Sequence, residues 1–435
     1  MTQRISGPTI MVAMMRGWFK RFATPTGKRV TWNLGCLIAS AIISQICGVI
    51  SVLLLTSAFG TGRYGTLSFA LSLQGYMMIL GSAGLRPIVV RELTRDVVSL
   101  NQIWSAFLSI TLALGVVLGI LMAIAAWLLA PTPTEALVIS LIGVGNVAAC
   151  ANLSAFFDYR HAQSSSGIIT AVAEVAALIA IAAFYFSDTI SLPLAAAVFS
   201  LKWIVMNVLL WVALRRHLPS LRWEWSAEQA IRLTRSSWKL VFSSLLATIP
   251  FTAGVILVRL LQSEEAAGVF AVAMYAPRAL FLLVGQVNRI MQPYIMGEQG
   301  QQRSFVVRTM LAYPLFLLMT ALCSWCGLWF AVTFLLDPEF HDALTTGSVL
   351  LIGAVLLAGG TLCTHYLIAK NAEHLAAISQ FATAVVYLTG ALLMIPEWSI
   401  DGASWAFVAA ACTMAIGCAI SLSSRHSITA SEPSR

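Results

Sequence analysis

Twelve apolar runs constrain this chain more than any motif in it. They lie near 35–58, 65–85, 103–130, 136–157, 167–186, 191–214, 239–258, 267–293, 307–336, 345–367, 373–395 and 402–422. Each approaches the roughly 20 residues a helix needs to cross a hydrocarbon core about 30 Å thick. In lipid such a run satisfies its backbone amides by bonding within itself. The alternating pattern of a membrane barrel is missing. Charged residues are only 10% of the 435 and apolar ones 59%, whereas a soluble domain carries about 25% charge. The chain therefore reads as an all-α integral membrane protein with about 12 transmembrane helices.

The remaining charges sort by side. With the N-terminus cytoplasmic, the inside segments collect 21 Lys and Arg and the outside loops hold Arg63 and Arg259 only. That asymmetry is the positive-inside signature. It predicts a multi-pass membrane protein with both termini cytoplasmic, and it accounts for the net charge of +8 without nucleic acid. The apolar stretch 9–15 is short and runs into "RGWFKR", so it is expected to lie in the interface rather than act as a cleaved leader. The eight cysteines fall in apolar runs and suggest neither a disulfide framework nor a metal. No cofactor is expected.

The outside loops are too short to build a domain. The longest inside loop divides the chain into a cytoplasmic segment 1–34, a six-helix bundle 35–214, a linker 215–238, a second bundle 239–422 and a cytoplasmic tail 423–435. The halves echo each other. "YGTLSFA" (64–70) opens span two and "AGVFAVA" (267–273) opens span eight, with Gly65 and Gly268 203 positions apart. The same offset carries Arg86 to Arg289. Six spans per half place the two copies the same way up, as in a parallel repeat. Phosphate-loop, zinc-protease and serine-hydrolase motifs are absent, which leaves transport as the reading.

At "FGTGRYGTLSFALSLQGYMMILGSAGLRPIVVREL" (59–93) the chain resembles the polysaccharide flippases, the Wzx-type branch of the multidrug/oligosaccharidyl-lipid/polysaccharide exporter superfamily. Gly60, Tyr64, Gly65, Gly84 and Leu85 carry the likeness, followed by the basic residues Arg86, Arg91 and Arg95. The resemblance extends to length, span number and six-plus-six layout. It implies two six-helix bundles around a central cavity. The implied activity is movement of an undecaprenyl-diphosphate-linked oligosaccharide across the bacterial inner membrane by alternating access, for O-antigen or exopolysaccharide synthesis. Its implied partners are membrane lipids, a polysaccharide polymerase and a chain-length regulator.

Such a cargo needs a wet, cationic chamber, because a desolvated diphosphate is costly. Arginine suits phosphate through its two parallel hydrogen bonds. Arg278 and Lys202 lie roughly 16 and 18 Å deep at the helical rise, near the midplane, and are candidates for holding the diphosphate. Arg86 and Arg289 sit at the cytoplasmic mouth, as first-capture residues or as snorkelling interface residues. Glu174, read as about 10 Å from the cytoplasmic end, either carries a coupling ion or pairs with Lys202. The pair would neutralise Lys202 and leave Arg278 as the firm phosphate candidate. Asp158 reads as solvated. His365 is a packed histidine or a proton relay. Pro250 and Pro277 are kinks or hinges. Two other readings stand: a cation-coupled drug or metabolite exporter, which would need an acid at its centre, and a membrane-bound glycosyl- or acyltransferase, which would need an acidic or histidine cluster at a membrane face.

Overall fold

A computed structural model describes residues 25–94, 99–160, 162–218, 221–296, 300–369 and 373–431. Among these the chain is helical throughout and forms no strand. The segment 9–15 lies outside the described residues. Ten helices are long and apolar enough to cross a membrane. Two of them, Gly35–Leu93 and His374–Ser421, run to 59 and 48 residues, more than one crossing needs. Each holds a residue off helical geometry: Gly60 at φ 68° and Ser399 at φ 50°. Gly60 takes that left-handed conformation without the Cβ penalty. The return at Ser399 is visible in the packing. The Tyr387 and Phe407 rings meet edge-on with centroids 6.4 Å apart, where a continuous helix would separate them by about 30 Å. Dividing both helices at these residues gives the twelve crossings.

The segment 215–238, read as a linker, is largely helix. Leu192–His217 enters it, and Ala227–Leu261 occupies its second half. Ser226 caps that helix, its side chain accepting from the Gln229 amide. Ser226-Ala-Glu-Gln229 is a capping-box sequence, a local signal outweighed by the charge count when the segment was read as a loop. At the other end, the helix Glu373–Ser431 continues past residue 422.

One face of the bundle carries residues 221–226, which lead into the helix Ala227–Leu261 (the linker face). The far face carries the turns near Gly60, Gln262 and Ser399. Spans two and seven, one from each half, stay together across the whole thickness. Gly84 abuts Leu240 and Val241 near the linker face. Tyr76 donates to the Ile249 carbonyl at 3.3 Å midway. Arg259 lies over the Phe69 ring near the far face, 4.7 Å from its centroid. Span eight packs on the first hairpin along Glu264–Ala273, and the contact thins from Tyr275 onward. The halves are thus closed at the far face and part toward the linker face along spans one and eight.

The closed end is built on the two repeat-related glycines. A Cβ on Gly65 would stand 1.9 Å from the Glu264 carbonyl oxygen, and one on Gly268 would stand 2.1 Å from that of Thr61. Equivalent positions of two copies meet reciprocally where a two-fold axis passes between them. Gly65→Ala or Gly268→Ala must therefore push two backbones apart. Each is expected to lower stability by about 1–3 kcal/mol, measured as earlier thermal unfolding in detergent, whereas Gly285→Ala, with open space around it, should leave the melt unchanged.

Candidate substrate-binding cleft

Proline decides the local geometry around Arg278. Pro277 has no amide to offer the Ala273 carbonyl, and the helix is interrupted there, ending at Ala273 and resuming at Tyr275. The Arg278 amide bonds the Met274 carbonyl at 3.1 Å, so the second segment starts cleanly. The Arg278 side chain is half-buried. Its guanidinium carbon lies 5.8 Å from the Tyr275 ring centroid, within cation–π range. The Tyr275 hydroxyl faces that of Tyr64 from the first half. Among the described residues no carboxylate forms an ion pair with Arg278.

Lys202 and Glu174 are paired. Lys202 Nζ donates to Glu174 Oε1 at 3.0 Å and Oε2 at 3.2 Å, with side-chain exposures of 13% and 24%. The ammonium also stands 5.5 and 5.4 Å from the Phe199 and Trp203 ring centroids. Glu174 is deeper than the sequence suggested. Its helix begins at Gln163 rather than at 167, which moves the carboxylate to about 16 Å from the helix start and opposite Lys202. Its charge is felt at Cys47 of span one and at Tyr275 of span eight.

Arg86 is held at the linker face. It follows a break at Ala83 and Gly84, both at positive φ, and both Nε and Nη2 donate to Asp158 Oδ2, at 3.0 and 2.7 Å. Asp158 is only 13% exposed, so the expectation of a solvated carboxylate is corrected: the neighbouring guanidinium encloses it. The side chains of Arg289 and His365 lie outside the described residues.

A cavity of about 310 Å³ lies between spans one, eight and nine; Tyr275, the ring next to Arg278, is in its wall, and Arg278 itself is not. Its wall is apolar, with Val49, Val52, Tyr275, Ala279, Leu283 and Leu328 among its residues. A second cavity, about 440 Å³, opens at the far face and gathers Glu265, Glu339, Asp342 and Asp401. The sequence reading missed the far-face charges. It placed Arg259 in a loop, whereas the structure buries it between Glu135 and Glu264. The spacing of Arg259 and Glu264, five residues across a turn, was the available hint.

This architecture recurs in solved transporters. An inward-facing multidrug resistance MATE family transporter of the MOP superfamily aligns over 92% of this chain and 100% of its own, with TM-score 0.65 and 11% identity. The lipid II flippase MurJ in an inward closed conformation aligns over 89% and 87%, with TM-score 0.70 and 10% identity. A MOP superfamily transporter from Pyrococcus furiosus, described by a reversed polarity of its binding pocket, aligns over 93% and 96%, with TM-score 0.55 and 10% identity. The fold is that of the MOP-superfamily membrane transporters, as the twelve-span, six-plus-six reading implied. Residues 30–296 match the polysaccharide biosynthesis protein family, and the chain belongs to that family. No curated protein matches the chain in sequence.

The Lys202–Glu174 pair yields a test of its own. Removing either partner alone strands a charge in a poorly solvated site. Lys202→Met or Glu174→Gln is expected to cost about 3 kcal/mol, read from thermal unfolding. The double variant should lose less than the sum of the two.

Proposed function

We propose that this protein is a flippase for undecaprenyl-diphosphate-linked oligosaccharide repeat units, carrying them from the cytoplasmic to the outer leaflet of the bacterial inner membrane. The linker face and both termini are cytoplasmic in this reading, in keeping with the 21-to-2 distribution of cations. One observation carries it: a half-buried arginine without an ion-paired carboxylate among the described residues, whose neighbouring ring, Tyr275, also walls an apolar cavity. A deep guanidinium is expensive unless an anion or water completes it, and a diphosphate matches its paired donors. The neighbouring cavity suits the polyprenyl chain. The four carboxylates at the far face disfavour return of an anion released there. Family membership and the likeness to a lipid II flippase point the same way.

Lys202 is neutralised by Glu174, so Arg278 is assigned the phosphate and Lys202 a secondary place at the cleft wall. Arg86, tied to Asp158 yet 50% exposed, retains a free flank for first capture at the mouth, and Arg289 is the repeat-related candidate there. Polymerised surface glycan is the product this step feeds, so a polymerase and a chain-length regulator are its expected partners. The cation-coupled exporter remains the second reading, because Glu174 is deep enough for that role. Its bond to Lys202 weighs against it.

Complementation of a deletion strain tests the proposal. Arg278→Ala is expected to lower surface glycan about tenfold, the effect of losing one charge-assisted contact of roughly 1.5 kcal/mol, and to trap lipid-linked repeat units on the inner leaflet. Arg278→Lys should recover only part, because an ammonium cannot make the paired bonds. Normal glycan with Arg278→Ala at wild-type protein level removes the phosphate role. A deletion that alters no surface polymer removes the flippase reading.

A further inference from the structure

The far face closes around one guanidinium. Arg259, at the end of span seven, is 9% exposed and forms an ion pair with Glu135, at the start of span four in the other half. Its Nη2 also donates to Glu264 Oε1 at 2.9 Å. Glu264 in turn reaches back across the boundary, its Oε2 accepting from Thr66 Oγ1 at 2.9 Å. Thr61 Oγ1 donates to Glu339 Oε2 at 3.2 Å. These contacts ring the Gly65–Gly268 approach, and all but the Arg259–Glu264 bond join one half to the other. Burial of such a charge is compensated only while both carboxylates stay in place, and Glu135 stays only while the halves are together.

We propose that Glu135, Arg259 and Glu264 form the latch of the outer gate, holding the cleft shut on the far side while it is open to the linker side. The proposal takes its place in the transport cycle from the flippase reading; its test takes from that reading only the outward orientation of the far face, not the cargo. Two details fit a latch better than a permanent brace. Arg259 Nη1 is enclosed and has no hydrogen-bond partner among the described residues, so the closed state is held without being fully satisfied. At the centre of the seam the halves meet through glycine backbone, so that crossing separates without extracting interlocked side chains. The latch also connects to the cargo site. Tyr64 precedes Gly65, and its hydroxyl faces Tyr275, the ring beside Arg278. Parting the seam removes Tyr64 from Tyr275 and changes the surroundings of Arg278, so release of the phosphate and opening of the gate are one event.

Ser68, 6% exposed and next to Tyr64 below the seam, supplies the reporter. A membrane-impermeant maleimide is added outside intact cells, and labelling of Ser68→Cys is counted over the same chain with Ser68 intact, which subtracts the native cysteines. Labelling is expected to be slow in the otherwise wild-type chain and to rise about tenfold with Arg259→Gln and with Glu135→Gln, a typical size for one coupling between sites. The exchange Glu135→Arg with Arg259→Glu should restore protection. Unchanged labelling in the single variants, or raised labelling that the exchange does not reverse, overturns the latch. If Arg259→Gln fails to accumulate, Glu135→Gln decides, since it leaves Arg259 bonded to Glu264. The readout is access rather than glycan, so it holds its meaning even if the cargo is not a lipid-linked sugar.

Discussion

A cation held in the hydrocarbon core costs about 2.5–3.5 kcal/mol even on insertion scales, and the chain meets that cost differently at each depth. Lys202 is matched by Glu174 within the first half. Arg232 and Glu92 join the halves near the linker face, and Arg259 and Glu135 join them near the far face. Between these two ties lies Arg278, which has an aromatic ring beside it and no ion pair with a carboxylate among the described residues. Cross-half pairs at both faces, with a cation between them that forms no ion pair among the described residues, describe two halves joined along spans two and seven and parted along spans one and eight. Were every buried cation satisfied internally, the interior would have nothing to offer an anion.

The tie at the far face is constrained further by shape. Two helices can approach closely only where side chains are missing, and small residues are the usual device in membranes. Here the device is used reciprocally, one glycine from each repeat. A duplicated sequence needs only one such position in its ancestral copy to obtain a matched contact on the axis. Glycine lets the contact be tight, and the surrounding carboxylates and hydroxyls add directional bonds that a small displacement breaks. A leucine seam would hold by area and yield gradually; this seam is positioned to hold or release.

Much of this was legible in the sequence. The twelve runs, the six-plus-six division and the repeat at Gly65 and Gly268 follow from hydropathy and spacing, because lipid admits so few backbone solutions. The Lys202–Glu174 alternative was visible too, since two opposite charges on neighbouring spans have few other partners. What could not be seen was depth and company. Glu174 was placed too shallow because its helix starts four residues earlier, in the polar stretch "QSSS", which hydropathy assigns to a loop. Asp158 reads as solvated and Arg259 as a loop residue because a charge at a span end looks the same in sequence whether it meets water or another half of the protein. Partners such as Arg259 and Glu135 lie far apart in the chain, and no local pattern joins them.

Arg278 sits where it does because of the residue before it. Pro277 breaks span eight into two rods with different attachments: Glu264–Ala273 rests on the first hairpin and span seven, and Tyr275–Met296 on spans nine and ten. An unbroken helix would transmit any splay of its inner end to the seam at Gly268. With the interruption, the outer segment lies against Gly65 while the inner segment packs on its own half and makes little contact with span one. The carbonyl released by the proline, that of Ala273, is taken up against span ten, 3.4 Å from where a Cβ on Gly347 would lie, so the break stays within protein rather than facing lipid. Placing the arginine one residue past the proline puts the charge at the base of the opening wedge, the point where cleft and gate meet. A charge one turn earlier would be sealed under the glycines, and one two turns later would belong to the mouth.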